Sequence, residues 1–202
     1  MRYLEAGDKE SCVVSALDKL SKRELTVVSL YNEVLKPALN EMKCADTPDA
    51  CIWKEHVYSG IIRAVIEAAY PYVLKERKGQ SGRKVLVVCP AEEQHVIGSR
   101  MVADFFTIAG FNVTFVGAYT PLDAFLSAVE RIKPEFVAIS VTNFYNLVAS
   151  RRFVKDVKAA HLNVKVIVGG RAFGQNPEKA REFGADMLLQ TYEEIEKLAR
   201  GA

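Results

Sequence analysis

Residues 85–98 read VLVVCPAEEQHVIG, and this stretch decides the fold class. It begins with an unbroken apolar run, 85–89, which is typical of a strand buried on both faces of a parallel sheet. Similar runs follow at 113–116, 136–140, 164–168 and 187–189, and segments with helical periodicity separate them. The alternation predicts an α/β domain whose five-stranded parallel sheet has the flavodoxin-like (Rossmann-like) strand order 2-1-3-4-5.

The chain before residue 77 shows only helical patterns. Ser21 and Glu24 have the S-x-x-E spacing of a capping box. Thr47 and Pro48 predict a further helix start, and Pro71 predicts a kink or break in that helix. We expect a small all-α helical bundle over 1–76, a charged, glycine-containing linker over 77–83 and the α/β domain over 84–202.

Charge and cysteine content exclude several classes of protein. The 27 Lys and Arg against 25 Asp and Glu leave a net charge of +2, which gives no support for nucleic-acid or membrane-surface binding. There is no apolar run of the roughly 18 residues that a membrane span needs, and no apolar signal core. Because Cys12, Cys44, Cys51 and Cys89 show no CxxC spacing, we expect reduced thiols in a soluble cytoplasmic protein.

Ligands of such sheets bind beyond the carboxyl ends of the strands, where the strand order reverses. The loops at that edge, 89–98, 140–143 and 169–172, contain neither a G-x-G-x-x-G dinucleotide motif nor a Walker loop. The third strand also ends without the Asp of a receiver domain. What remains is a carboxylate and a histidine, followed by a glycine that opens a helix. An imidazole can bind cobalt while a carboxylate holds its other ring N–H, and a glycine lets a bulky group approach.

These loops resemble the cobalamin-binding domain of methionine synthase, methylmalonyl-CoA mutase and small corrinoid proteins. That family carries D-x-H-x-x-G after the first strand, S-x-L or S-x-T after the third and G-G after the fourth. The corresponding residues here are Glu93-Gln94-His95-Val96-Ile97-Gly98, Ser140-Val141-Thr142 and Gly169-Gly170. The resemblance covers about residues 83–198. It implies cobalamin as the cofactor, with His95 replacing the dimethylbenzimidazole base as the lower ligand to cobalt.

The resemblance also assigns roles to the other loops. Ser140 would meet the displaced nucleotide tail, and Gly169 and Gly170 would line the slot that receives it. Arg171 could reach a cofactor amide or phosphate, although a surface role is equally open. One departure is plain, because the family has Asp where this chain has Glu93. The extra methylene leaves weaker histidine ligation or a base-on cofactor as alternatives.

In this family a helical module covers the upper face of the corrin ring. Methyl-carrying corrinoid proteins have a G-M-x-x-V-G segment there, which this chain lacks, whereas light-sensing regulators have a W-x9-E-H signature. Glu55 and His56 match the E-H part, but the tryptophan position falls on Ala45, and Trp53 stands two residues before the Glu. We expect Trp53, Glu55 and His56 to face the corrin. Ordinary bundle packing of Trp53 beside a solvated Glu55–His56 pair is an equal alternative.

Three functions stay open at this point. The Glu55–His56 pair and the missing G-M-x-x-V-G segment favour a non-catalytic sensor, a photoreceptor-like regulator that responds to light or to the upper ligand of the cofactor. The alternative is a corrinoid methyl carrier of a methyltransferase system, and the third is an interaction module that has lost its cofactor. The protein partner would be a regulator or a methyltransferase. An oligomer is possible, and no direct contact with nucleic acid or membrane is expected.

Overall fold

The structure is a computed structural model that describes residues 2–40, 48–160 and 163–201, with no side-chain description for 48–50. The chain divides into two compact units, Met1–Glu76 and Arg77–Ala202. The predicted helix start at Thr47 and the positions of Cys44 and Ala45 lie outside the described residues. No helix among the described residues combines the length and apolar character needed to cross a lipid bilayer.

The first unit is helical over all of its described elements. These are α1 (Arg2–Glu5), α2 (Lys9–Ser21), α3 (Val27–Ser29), a π-helical turn (Leu30–Leu35), α4 (Lys36–Asn40) and α5 (Pro48–Glu76). Helix α5 packs against α2 with a row of buried side chains that recurs every three or four residues. That row consists of Ile61, Ile62, Val65, Ile66, Ala69 and Val73.

The predicted capping box of this unit is wrong, and the predicted break at Pro71 is absent. The capping box is formed by Thr26 and Ser29, whose hydroxyls accept each other's backbone N–H groups at 3.1 and 2.9 Å. Ser21 instead ends α2, because Arg23 adopts a left-handed conformation with φ 59° and turns the chain. Pro71 does not break α5, which continues to Glu76. A proline removes one helical hydrogen bond, and the buried apolar face continues on both sides of it.

The expectation of reduced thiols throughout is also wrong. Cys51 is disulfide-bonded, whereas Cys12 and Cys89 are free thiols. A disulfide requires two Cα atoms within about 7 Å of each other. The absence of a CxxC motif does not test that distance, because residues far apart in sequence can meet in space.

The second unit confirms the predicted α/β fold. Its elements alternate as β1 (Lys84–Val88), α6 (Val96–Ile108), β2 (Asn112–Gly117), α7 (Leu122–Ile132), β3 (Phe136–Ser140), α8 (Leu147–Ala160), β4 (Lys165–Gly169), α9 (Arg171–Gln175), α10 (Glu178–Glu182), β5 (Met187–Leu188) and α11 (Tyr192–Ala199). All paired strands are parallel, and the order is β2-β1-β3-β4-β5. The loop after β1 therefore lies between the loops after β2 and β3.

An ion pair ties the amino end of the sheet to a helix. The Asp186 carboxylate accepts hydrogen bonds from Lys158 Nζ at 2.7 Å and from the Val166 backbone N–H at 2.6 Å. Burial raises the pKa of Asp186, but the Lys158 ammonium and the Val166 amide outweigh burial and hold the pKa below its usual value. The carboxylate thus joins α8 to the start of β4.

Candidate functional site

His95 lies at the carboxyl edge of the sheet, in the position that caps the N-terminus of α6. Its side chain is 48% exposed, and its Nδ1 atom is 2.5 Å from Oε1 of Glu93. The His95 backbone N–H donates to the same oxygen at 2.9 Å. The histidine is therefore fixed by one carboxylate through both its main chain and its ring.

Glu93 is completely buried and receives hydrogen bonds from two loops. Its Oε2 atom accepts from the backbone N–H groups of Thr142 and Asn143, both at 2.9 Å, and from Nδ2 of Asn146 at 3.2 Å. With the two bonds from His95, five donors surround one carboxylate. Glu93 thus connects the loop after β1 to the loop after β3.

The surroundings of Glu93 keep it ionised. Burial alone would raise the pKa of this carboxyl, but hydrogen bonds from Asn143, His95 and Thr142 outweigh burial and hold its pKa below the usual value. An ionised carboxylate can only accept hydrogen bonds, so His95 Nδ1 carries the hydrogen in the contact between them. In the neutral ring this pairing fixes the tautomer, which leaves on Nε2 the lone pair that a metal ligand needs.

Glu93 stands where the family has Asp, and its longer side chain reaches two loops. The Glu93–His95 contact is present despite the extra methylene. The longer side chain places Oε2 within hydrogen-bond distance of Thr142, Asn143 and Asn146. The Glu93 side chain therefore contacts both His95 and the loop after β3.

The three predicted glycines occupy different surroundings. A Cβ on Gly169 would lie 2.6 Å from the Leu189 carbonyl oxygen, and one on Gly170, whose φ is +92°, would lie 2.5 Å from the Val141 oxygen. Both positions therefore require glycine for close backbone packing, whatever lies outside. A Cβ on Gly98 would meet no atom within 4 Å. The open space above Gly98, beside an exposed imidazole, fits the approach of a bulky planar group.

The remaining predicted residues of this unit lie in the same loops or at their ends. Ser140 is buried and ends β3, where it pairs in register with Gly169. Thr142 is half-buried and donates its backbone N–H to Glu93. Val96 and Ile97 form the half-buried first turn of α6, and Arg171 is the exposed first residue of α9.

Trp53, Glu55 and His56 belong to the first half of α5, and all three are exposed. Trp53 is 56% exposed, and Ile52 and Val57 on the same side of the helix are 55% and 38% exposed. At 100° per residue, Ile52, Trp53, His56 and Val57 share one face, opposite the buried row of α5. Glu55 is exposed but has the angular position of the buried row, so it does not share the face of Trp53 and His56. The alternative in which Trp53 packs in the bundle core is wrong.

Sequence reasoning missed Asn146 and the turn that contains it. Residues Phe144–Asn146 form a short 3-10 helix between β3 and α8. Asn143 caps it, because its Oδ1 accepts the Tyr145 backbone N–H at 3.1 Å. The Asn-x-x-Asn spacing shortly after the Ser140 motif was the available signal for this turn, since Asn is a frequent capping residue.

Residues 83–199 match the family model described as the B12 binding domain. The fold and this match define the class, an α/β protein that binds a corrinoid cofactor. The chain belongs to the B12-binding domain family, and its cofactor is cobalamin. The residues at the sheet edge fit such a group, because an exposed imidazole of fixed tautomer stands beside an open glycine surface.

Two curated relatives are similar to parts of this chain. Trimethylamine corrinoid protein 1 of Methanosarcina mazei is 27% identical over 144 residues, which are 70% of this chain and 66% of that protein. The HTH-type transcriptional repressor CarA of Myxococcus xanthus is 28% identical over 120 residues, which are 58% of this chain and 40% of that protein. The chain thus spans less than two thirds of the length of either curated relative.

The solved structure of the monomethylamine corrinoid protein of Methanosarcina barkeri superimposes with a TM-score of 0.79 at 15% identity. The superposition covers 98% of this chain and 93% of that chain. The likeness shows that the two proteins share a fold.

Proposed function

We propose that His95 is the lower axial ligand to the cobalt of bound cobalamin and that Glu93 orients it. The observation that carries this proposal is the 2.5 Å contact between His95 Nδ1 and a fully buried, ionised Glu93. This arrangement holds the hydrogen on Nδ1 and keeps Nε2 available. Carboxylates that bond the second nitrogen of a metal-binding histidine raise its basicity and fix its ring.

The other loop residues have distinct roles in this proposal. Asn146 and the amides of Thr142 and Asn143 hold Glu93 in place. Gly98 leaves the space that the corrin ring needs over the start of α6. The remainder of the cofactor contact is formed by Val96, Ile97, Ser140, Gly169, Gly170 and Arg171. Bound cobalamin supplies a reactive cobalt–carbon bond, and the protein supplies ligation and control of access.

The downstream role that we propose is that of a corrinoid carrier working with a methyltransferase. The alignment with the trimethylamine corrinoid protein is 144 residues long. It is therefore longer than the family domain at 83–199 and reaches into the helical unit. The alignment with the repressor CarA has 120 residues, about the length of that domain alone. Alignments with other corrinoid proteins run from 95 to 156 residues, so their extent alone does not separate a carrier from a sensor. We favour the carrier because trimethylamine corrinoid proteins of three Methanosarcina species match this chain, beside one repressor.

A sensory or regulatory protein remains the second candidate, and one observation favours it. Trp53 and His56 lie together on an exposed, largely apolar face of α5, where side chains can meet a ligand or partner. In this version His56 would approach the upper side of the cobalt. Light or a change of the upper ligand would then alter partner binding or the oligomeric state.

The first experiment tests ligation. The protein and its His95→Ala variant are reconstituted with hydroxo-, methyl- and adenosylcobalamin, and absorption spectra are recorded, with His56→Ala as the matched control. We expect wild type and His56→Ala to show base-off cofactor with histidine bound, and His95→Ala to lose that signature. Unchanged spectra in His95→Ala would disprove the assignment of the lower ligand.

The second experiment separates carrier from sensor. The protein loaded with adenosylcobalamin is run on size-exclusion chromatography in the dark and after visible illumination. A carrier keeps the same elution volume in the dark and after illumination. A light-dependent change in oligomeric state that His56→Ala abolishes would support the sensor and contradict the carrier.

A further inference from the structure

Three exposed aromatic side chains stand at the carboxyl edge of the sheet, in the loops on either side of the His95 loop. Tyr119 follows β2, and Phe144 and Tyr145 follow β3. The strand order places β1 between β2 and β3. Neighbouring strands are about 4.8 Å apart, so the two aromatic loops are separated by roughly 10 Å, with His95 between them. We call Tyr119, Phe144 and Tyr145 the aromatic border.

These side chains are unusually open for their size. Tyr119 is 62% exposed, Phe144 is 55% exposed and Tyr145 is 85% exposed. Large aromatic side chains left in water at one edge of a domain mark a binding surface when they stand together. Packing within the domain does not account for them, because more than half of the surface of each residue is exposed.

Two members of the border, Phe144 and Tyr145, lie in a turn that is held by the same carboxylate that holds His95. Glu93 binds the backbone N–H of Asn143, and Asn146 binds Glu93, so the turn that carries Phe144 and Tyr145 is anchored on both sides. The two rings also contact each other edge to face, with centroids 6.3 Å apart. An anchored aromatic turn loses little conformational entropy when a flat ligand binds to it.

Tyr119 adopts a conformation that a glycine would adopt more easily. Its φ is +55°, in the left-handed region that non-glycine residues seldom occupy. When a non-glycine residue keeps this unfavourable backbone conformation, its side chain is a candidate for a functional role. The strain at Tyr119 and the exposure of the border are independent observations at one edge of the sheet.

We infer that the aromatic border contacts the macrocycle of the bound corrinoid on both sides of the His95 ligand. This inference rests on the proposed function, because it places the macrocycle above His95. A corrin ring is wide, flat and largely apolar, with amide side chains at its rim. The aromatic rings on either side of His95 would pack against the apolar part of the corrin. The hydroxyls of Tyr119 and Tyr145 would form hydrogen bonds with its amide side chains.

The test measures the cobalamin dissociation constant of the full chain by absorbance titration with hydroxocobalamin. The variants are Tyr119→Ala, Phe144→Ala and Tyr145→Ala, with Tyr119→Phe and Tyr145→Phe as controls that keep the rings. We expect each alanine variant to weaken binding about ten-fold and each phenylalanine control to stay within about three-fold of wild type. The histidine-bound spectrum should persist in every variant that is saturated with cofactor.

Tyr119→Gly separates binding from folding. Because glycine relieves the positive φ, the melting temperature of the cofactor-free protein should stay the same or rise. Its affinity for hydroxocobalamin should nevertheless fall about ten-fold. A purely structural role for Tyr119 predicts the opposite pair of results.

The outcomes also separate this inference from the proposed function. If the alanine variants bind as tightly as wild type while His95→Ala loses the histidine-bound spectrum, the ligation proposal stands and the aromatic border is not a corrin contact. That result would assign the border to a protein partner instead. If wild type retains no hydroxocobalamin, both proposals fail together.

Discussion

Oε1 of Glu93 lies 2.5 Å from the ring of His95, while Oε2 of the same side chain binds the backbone of a loop that follows a different strand. One buried carboxylate therefore sets both the tautomer of the candidate cobalt ligand and the distance between two loops. A change at Glu93 should disturb ligation and folding together. The neighbouring Glu92 is exposed, which provides a control of the same residue type.

Glu93→Gln should be strongly destabilising. The amide group replaces one acceptor oxygen by a donor, so at least one of the backbone N–H groups of Thr142, Asn143 or His95 loses its partner in a buried site. We expect the free energy of unfolding to fall by about 2–4 kcal/mol. Denaturant titration of the cofactor-free protein measures this change, and Glu92→Gln should stay within about 0.5 kcal/mol of wild type. Equal stability of the two variants would contradict the role assigned to Glu93.

Gly98→Ala and Gly170→Ala should affect stability in opposite directions. Gly98 lies in helix α6 with open space around its Cβ position, so alanine should raise the stability of the cofactor-free protein by up to about 1 kcal/mol. At Gly170 the added Cβ would lie 2.5 Å from a backbone oxygen at a positive φ, and the loss should exceed about 2 kcal/mol. Thermal unfolding distinguishes the two variants. Cobalamin titration should show weaker binding in Gly98→Ala despite its higher stability.

Cys89 should be inert toward alkylating reagents in the folded protein. Burial raises the pKa of its thiol to about 11, against a smaller opposing effect of the Ser99 hydroxyl. At pH 8 only about one thiol in a thousand is then ionised, and the thiolate is the reactive form. Iodoacetamide labelling followed by peptide mass mapping should modify the half-buried Cys12 first. Labelling of Cys89 at a similar rate before denaturation would show that the residue following β1 is not buried as described.

Asp186 should make stability depend on pH in the acid range. Its pKa in the folded protein lies below the ordinary value of 3.8, so its contribution is complete above about pH 5. The contribution is lost as pH falls through the folded-state pKa. Asp186→Asn should therefore lower the unfolding free energy by about 1 kcal/mol at pH 7. The difference from wild type should disappear near pH 2, and a difference independent of pH would rule out the ionised carboxylate as its source.

Helix starts and disulfides could not be predicted from the sequence as accurately as the strands. The S-x-x-E spacing at Ser21 matched a capping box, but the chain turns at Arg23 and places the box at Thr26 and Ser29. Such spacings recur by chance, and a single residue in a left-handed conformation decides which one is used. The disulfide at Cys51 likewise depends on a distance in space.

The α/β fold and the cobalamin family were predictable from the sequence alone, because apolar runs of strand length and three loop motifs are local patterns. The sequence also identified Glu93 and His95 as neighbours in one loop. The folded protein shows three further facts: Glu93 joins two loops, backbone contacts require Gly169 and Gly170, and Trp53 is exposed. Those facts depend on atoms brought together from distant positions, and no spacing along a chain encodes such distances directly.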